Sequence, residues 1–465
     1  MYQYFLFALL LLITALLFSC QKKESKSSTL FQELDSSATG ISFDNVLTPT
    51  EEFNMYIFRN FYNGGGVAIG DVTGNGLPDV FLTGNMVSNR LYENLGDFRF
   101  VDITDQAGLN TDGYWSTGAS MADVNGNGLL DIFVTLSGEP IGDERHNRLY
   151  LNNGDGTFTE SAREWRIADE NLSTHGVFFD FTGNGLLDLY LVGNSFHEVG
   201  GFANVTGEER KNPDPLGASK LYRNEGTYFT DITEEAGIYS SVIGFGLSAA
   251  ISDINRNGLP DLYIANDFFE RDYLYINNGD GTFTESLESY IRSLSFSSMG
   301  SDIADINNDG WPDIYVSDML PVGEERLKSK MTIESWDEYQ TNVERGFHHK
   351  FTRNTLQLYN GKGYSEIGRL TDTHATEWSW AVLKSDFDNS GHTDIFVVNG
   401  IYKDLLDQDY IDIVANPRVI QERIQRGEEN IILGLMDEMS SVPVRNHLFS
   451  NEGDLRFEDR TIEWG

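Results

Sequence analysis

Six nine-residue stretches carry an Asp at the first position, a Gly at the sixth and an Asp at the ninth. They read DVTGNGLPD from Asp71, DVNGNGLLD from Asp123, DFTGNGLLD from Asp180, DINRNGLPD from Asp253, DINNDGWPD from Asp305 and DFDNSGHTD from Asp386. In the first, Asp71, Thr73 and Asn75 offer side-chain oxygens at alternate positions, Leu77 can offer its carbonyl, and Asp79 closes the set. The matching positions are Asp123, Asn125, Asn127, Leu129 and Asp131, then Asp180, Thr182, Asn184, Leu186 and Asp188. They continue as Asp253, Asn255, Asn257, Leu259 and Asp261, then Asp305, Asn307, Asp309, Trp311 and Asp313, and end with Asp386, Asp388, Ser390, His392 and Asp394. An all-oxygen set of this kind suits Ca²⁺ better than a soft metal. Without a cation, two carboxylates about 5 Å apart repel by roughly 1–3 kcal/mol at effective dielectrics of about 80 down to 20. The competing reading is that each Asp caps a turn through hydrogen bonds to nearby backbone N–H groups. The loops are not equal, since the fifth and sixth alone hold a third carboxylate, Asp309 and Asp388. An EF-hand is excluded: it needs a Glu at position twelve, where these stretches have Leu82, Val134, Leu191, Ile264, Val316 and Val397.

The elements that must position such loops are short strands. An apolar segment precedes each loop, as at 66–69, and another follows it, as at 80–82. A Leu-Tyr segment comes next (Leu91-Tyr92, Leu149-Tyr150, Leu221-Tyr222, Leu274-Tyr275), and a Phe-containing segment after a Gly-rich turn completes the unit. Five of the six residues lying five before the first Asp are small (Gly66, Gly118, Ser248, Gly300, Ala381), with His175 the exception. Small side chains there suit strands crowded around an axis. Four strands per unit, repeated radially, predict an all-β fold, a β-propeller. Segment 40–46 has the pattern of a fourth strand, as does 455–461. Seven fourth strands against six sets of the other three predict most of a seven-bladed ring, with a closed six-bladed ring as the alternative.

The Asp loops, with the Leu-Tyr and Gly-Asp-Gly-Thr-Phe segments, resemble the FG-GAP or VCBS-type repeats of integrin-α-like propellers. The similarity runs from about Gly40 onward and is greatest to bacterial surface lipoproteins, some of which carry an added ASPIC/UnbV-type domain. It implies calcium in the loops and a protein or glycan ligand; it implies no reaction. Ser390 and His392 are the least typical residues at the implied metal positions.

Residues 5–18 form an uncharged apolar run placed like a signal peptide, and Leu17-Phe18-Ser19-Cys20 resembles a bacterial lipobox. Cys20 is the only cysteine, so no disulfide can form within the chain and a lipid-bearing role is favoured. This predicts a signal peptide over 1–19, a lipidated Cys20 with a flexible tether over 20–39, and a propeller over 40–465. The expected location is the bacterial cell envelope, anchored by lipid at the outer membrane. A net charge of −39 argues against nucleic acid as a partner.

Three long excursions interrupt the repeat, at 193–219, 318–354 and 399–446, and specificity tends to sit on such segments. The last is expected to hold an amphipathic helix around 419–436. His348 and His349 are expected to be exposed, and Trp378 with Trp380 to pack in the core rather than stack on a sugar. No zinc-protease, nucleophile-elbow or phosphate-loop motif is present. The function expected is a calcium-stabilised binding or adhesion module without catalysis. The alternative is a polysaccharide-active, lyase-like enzyme on a calcium-containing propeller.

Overall fold

The computed structural model describes residues 29–465 except 110, 112, 139–144, 197–204, 215 and 332–334. The apolar leader, Cys20 and the first part of the tether therefore lie outside the described residues, as do parts of two excursions. No helix among the described residues is long and apolar enough to cross a membrane.

Residues 34–460 form one unit. It holds six four-stranded antiparallel sheets, each with its strands in simple chain order. The first blade comprises Val67–Gly70, Asp79–Leu82, Arg90–Asn94 and Phe100–Asp102. The fourth comprises Gly246–Ser252, Asp261–Asn266, Tyr273–Asn277 and Phe283–Glu285, and the sixth Ser379–Ser385, Asp394–Asn399, His447–Asn451 and Phe457–Asp459. The propeller expectation holds, with six blades as in the six-bladed alternative. The described residues build no seventh blade.

Segment 40–46 is not a strand. Asp35 accepts from Ser37 N–H at the start of a Ser36–Thr39 helix, and Gly40 ends that helix at φ 82°. A Cβ on Gly40 would stand 2.3 Å from the Phe100 carbonyl, so the backbone lies directly against blade 1. Its hydrogen bonds go to side chains instead of a ladder, as in Asn45 Nδ2 to Asn85 Oδ1 at 2.7 Å. The fourth strand of blade 6 comes from its own repeat.

Crowding at the axis accounts for the small residues. A Cβ on Gly66 would meet the Gly118 Cα at 2.9 Å, and one on Gly300 would meet the Ala381 Cα at 2.7 Å. A separate apolar cluster fills the interface between each pair of successive blades, such as Phe81, Leu91, Ile132 and Val134 between blades 1 and 2. On the first and last inner strands, Val67, Ile69 and Leu383 stay 56%, 64% and 54% exposed. Asn side chains tie blade to blade: Asn152, Asn224, Asn277 and Asn451 donate to the carbonyls of Val72, Val124, Phe181 and Ile306 in the preceding blade.

The 399–446 excursion is three helices, not one: Gln408–Val414, Pro417–Arg426 and Ile431–Glu438. Asn416 caps the second, Pro417 opens it, and Gly427 in the left-handed region (φ 70°) ends it. The first and third pack into an apolar cluster with Phe58, Phe61, Trp115 and Met439, to which they contribute Tyr410 and Met436, which fits a structural role. Residues 29–33 and 461–465 form a second, small unit, in which Phe31 N–H donates to the Trp464 carbonyl at 2.7 Å.

Candidate functional site: the Asp loops and the 318–354 excursion

Each Asp loop joins the first and second strands of its blade, and its two acids have different surroundings. The first Asp gathers N–H groups of its own loop: Asp71 accepts from Gly74, Asn75 and Gly76 at 2.8, 3.1 and 2.8 Å. Asp180 accepts from Gly183, Asn184 and Gly185, and Asp386 from Ser390 and Gly391. Left-handed glycines make this cradle possible, for example Gly74 and Gly76 at φ 73° and 84°.

The ninth-position Asp is buried in every loop (Asp79, Asp131, Asp188, Asp261, Asp313, Asp394). One of its oxygens accepts from the residue after the first Asp, the other from the end of the third strand. In blade 4 these are Ile254 N at 2.9 Å and Asn277 N at 2.7 Å, both to Asp261. Burial pushes Asp188, Asp261 and Asp313 up to about 6, against the pull of these hydrogen bonds. Asp131 and Asp394 shift the same way for the same reason. The turn-capping reading therefore accounts for the shape of the loop. It leaves two observations over.

Thr73 Oγ1, at the third position of loop one, is shielded from water and has no hydrogen-bond partner. In loop six, Asp386, Asp388 and Asp394 each place an oxygen within 4.8 Å of the others, the one such group of three among the described residues. Loop five does not match it. Asp309 there accepts from Trp311 N and Asn307 Nδ2, and the loop's acids do not gather within that distance. Trp311, where four other loops carry Leu, stacks on Tyr359 at 4.3 Å, and Arg256 of the fourth loop lies 5.0 Å over it. The middle positions (Asn75, Asn127, Asn184, Asn257) use Oδ1 to accept from the N–H two residues on, which leaves each oxygen a second lone pair.

The residues that sequence alone did not place belong to the 318–354 excursion. Asp318 is buried at its base, where its carboxylate accepts from Ser295 Oγ at 2.5 Å, Phe296 N at 2.9 Å and Arg353 N at 3.0 Å. Burial raises Asp318 to about 6. A two-residue parallel pairing of Leu294–Ser295 with Lys350–Phe351 ties the returning chain to the ring. The Lys350 ammonium, buried, donates to the Phe268 carbonyl at 2.6 Å. Arg210 from the 193–219 excursion bonds the Gly346 carbonyl and the buried Glu270, at 2.7 and 2.8 Å. Of the two histidines, His349 is exposed as expected and bonds the Tyr339 hydroxyl at 2.7 Å. His348 is half-buried against the Ile291 carbonyl, and burial lowers its pKa. Trp378 and Trp380 are half-buried 6.0 Å apart, and Trp380 Nε1 donates to the Gly400 carbonyl, which fits packing.

The excursion, with blades 5 and 6, surrounds a cavity of about 950 Å³. Its walls combine Leu320, Trp336, Tyr339 and Phe351 with Arg369, Asp372, His374 and Asp459.

The FG-GAP-like repeat family matches residues 71–134, 136–191 and 253–316. The chain carries FG-GAP-like repeats. The matched stretches hold the first five Asp loops; the sixth, with Ser390 and His392, lies outside them, yet its blade is built on the same plan. Cartilage acidic protein 1 of Xenopus tropicalis is 23% identical over 237 residues, half of this chain and 33% of that protein's length. This chain therefore matches only about a third of that relative. Among solved structures, an Agrocybe aegerita lectin described as recognising non-reducing terminal N-acetylglucosamine is 15% identical, covering 85% of this chain and 80% of its own at a TM-score of 0.42. The V. cholerae biofilm matrix protein Bap1 is 11% identical (70% and 42% covered, TM-score 0.36). A soluble aldose sugar dehydrogenase of Escherichia coli is also 11% identical (72% and 93%, 0.36). At these values the three structures carry no argument about ligand or chemistry.

Proposed function

We propose that this FG-GAP-repeat propeller is a calcium-stabilised binding module of the bacterial cell envelope, recognising a protein or glycan without catalysis. The observation that carries the binding role is the cavity beside the 318–354 excursion, which hydrogen bonds tie to Ser295, Phe268 and Arg210. A rigid scaffold presenting a well-anchored concave site is what recognition needs.

Calcium would be held by the first, third, fifth and ninth side chains of the loops and the seventh carbonyl. It would supply positive charge where carboxylates converge. Loop six, with three carboxylates together, is the strongest of the sites, and the orphaned Thr73 Oγ1 favours loop one. Because backbone hydrogen bonds already shape the loops, metal would add to a preformed cradle.

The envelope location rests on Cys20 as the lipid attachment point. Cys20→Ala is expected to move the protein out of the membrane fraction or leave its precursor uncleaved; mature-sized protein still in that fraction would refute the anchor. The binding role is tested by screening the Cys20→Ala form against immobilised glycans and envelope proteins, while assaying new reducing and unsaturated sugar ends. Binding without new ends supports the proposal. New ends would favour the lyase-like alternative.

A further inference from the structure

The cavity beside the 318–354 excursion has two unlike walls. One is aromatic. The Trp336–Glu344 helix opens with a Ser335 cap and a Ser335–Glu338 capping box, which fixes its first turn. Trp336 and Tyr339, three residues apart, share one face of it. Their ring centres are 5.3 Å apart at an interplanar angle of 32°, and Tyr339 lies 5.5 Å from Phe351 at 27°. The three rings form a shelf. Trp336 is nevertheless 71% exposed and Phe351 38%, so this apolar surface is held at water by a capped helix. Large apolar side chains kept exposed beside a cavity mark a binding surface.

The other wall is polar and carries charges of both signs, with Arg369 close enough to His374 to oppose its protonation. His447 Nδ1 is 2.9 Å from Asp459, Arg353 pairs with Glu366 at 2.7 Å, and His374 stands 3.7 Å from Asp372. His374 Nδ1 is also shielded from water with no hydrogen-bond partner. This wall offers directed donors and acceptors, with cationic and anionic groups side by side.

We infer that this cavity is a saccharide-binding site for a neutral sugar. One sugar ring lies with its C–H face on the Trp336–Tyr339–Phe351 shelf, and its hydroxyls meet His374, Asp372 and Asp459 across the gap. This rests on the reading of the protein as a binding propeller and specifies the ligand of that site. A pyranose is apolar on its faces and polar around its edge, which matches one aromatic wall opposite one hydrogen-bonding wall. A lipid chain would leave the polar wall unsatisfied. A polyanion would approach against the chain's excess of acids, a net charge of −39. The volume, about 950 Å³, lies within the range of small-ligand sites.

The test uses cellobiose, maltotriose and N,N′-diacetylchitobiose as probes, with calorimetry and tryptophan fluorescence on the Cys20→Ala protein. At least one probe is expected to bind and to perturb the fluorescence. Trp336→Ala should weaken that binding at least tenfold with an unchanged melting temperature, and Trp336→Phe should restore part of it. A saccharide bound equally well by wild type and Trp336→Ala overturns the site while leaving the binding role intact. If no probe binds wild type, the inference falls, and the broader role is decided separately by the screen for glycan and protein ligands.

Discussion

The Asp loops and the 318–354 excursion are both irregular backbone on one ring, but they are held in opposite ways. Each loop is shaped by its own residues: the first Asp collects N–H groups within five positions, and the ninth ties the loop to the third strand of its blade. The same bonds recur around the ring. The excursion is held by bonds that occur once, from Asp318 to Ser295 and Arg353, from Lys350 to Phe268, and from Arg210 to Gly346. Repetition builds a stiff frame, and single-use contacts build a place that differs from it. The frame can be altered at one loop with five unchanged. The excursion has no spare copy.

The largest effect separates the two acids of a loop. Asp261→Ala is expected to cost about 3–5 kcal/mol in chemical denaturation, because it strands the buried amides of Ile254 and Asn277. A loss under about 1 kcal/mol would mean those amides find other partners. The second effect belongs to the excursion and depends on pH. Asp318 is raised to about 6 from an ordinary 3.8 by burial, so the folded state favours its protonated form. Its stabilising contribution is complete below pH 4 and is lost as pH rises through 6. Relative to Asp318→Asn, wild type should lose up to about 3 kcal/mol across that window. A difference that stays flat with pH would show that Asp318 does not titrate there.

A smaller effect is expected at Asp253→Ala. Its carboxylate accepts from Asn257 and Gly258 on a part-exposed loop, so the loss is about 1 kcal/mol without metal and larger with Ca²⁺. Equal losses with and without Ca²⁺ would leave Asp253 a turn cap only. The smallest change in stability is Trp336→Ala, within about 0.5 kcal/mol, because that ring is mostly in water. A large loss there would make the aromatic shelf part of the fold instead of a surface kept for a ligand.

This contrast also explains what could be read in advance. The blades were legible because each strand pair is set by local pattern: an apolar segment, a Gly-Asn turn, then Leu-Tyr. Segment 40–46 misled because Ile41, Phe43 and Asn45 alternate like a strand, while Gly40 ends a helical turn and the bonds go to side chains. The helical excursion was placed but not divided, since Gly427 as a stop outweighs the apolar residues on either side of it. In the loops, all the acids were visible, yet only the structure shows that the three of loop six converge and the three of loop five do not. The cavity could not be foreseen. It needs Trp336 and Tyr339 on one helix to meet His374 from the connection between blades 5 and 6 and Asp459 from the last strand, and no spacing along the chain encodes that meeting.

Calcium bound in the Asp loops is proposed to stabilise the ring. The direct measurement is the melting temperature of the Cys20→Ala protein in EDTA and in millimolar Ca²⁺, with Mg²⁺ as the comparison. Each site at a hundredfold excess over its Kd would contribute about 2.7 kcal/mol, enough to raise the midpoint by at least about 2 °C. The rise should be smaller with Mg²⁺, and smaller with Ca²⁺ when Asp386 and Asp388 are both changed to Asn. A midpoint that is the same in EDTA and Ca²⁺ would contradict the claim and leave the acids as turn caps alone.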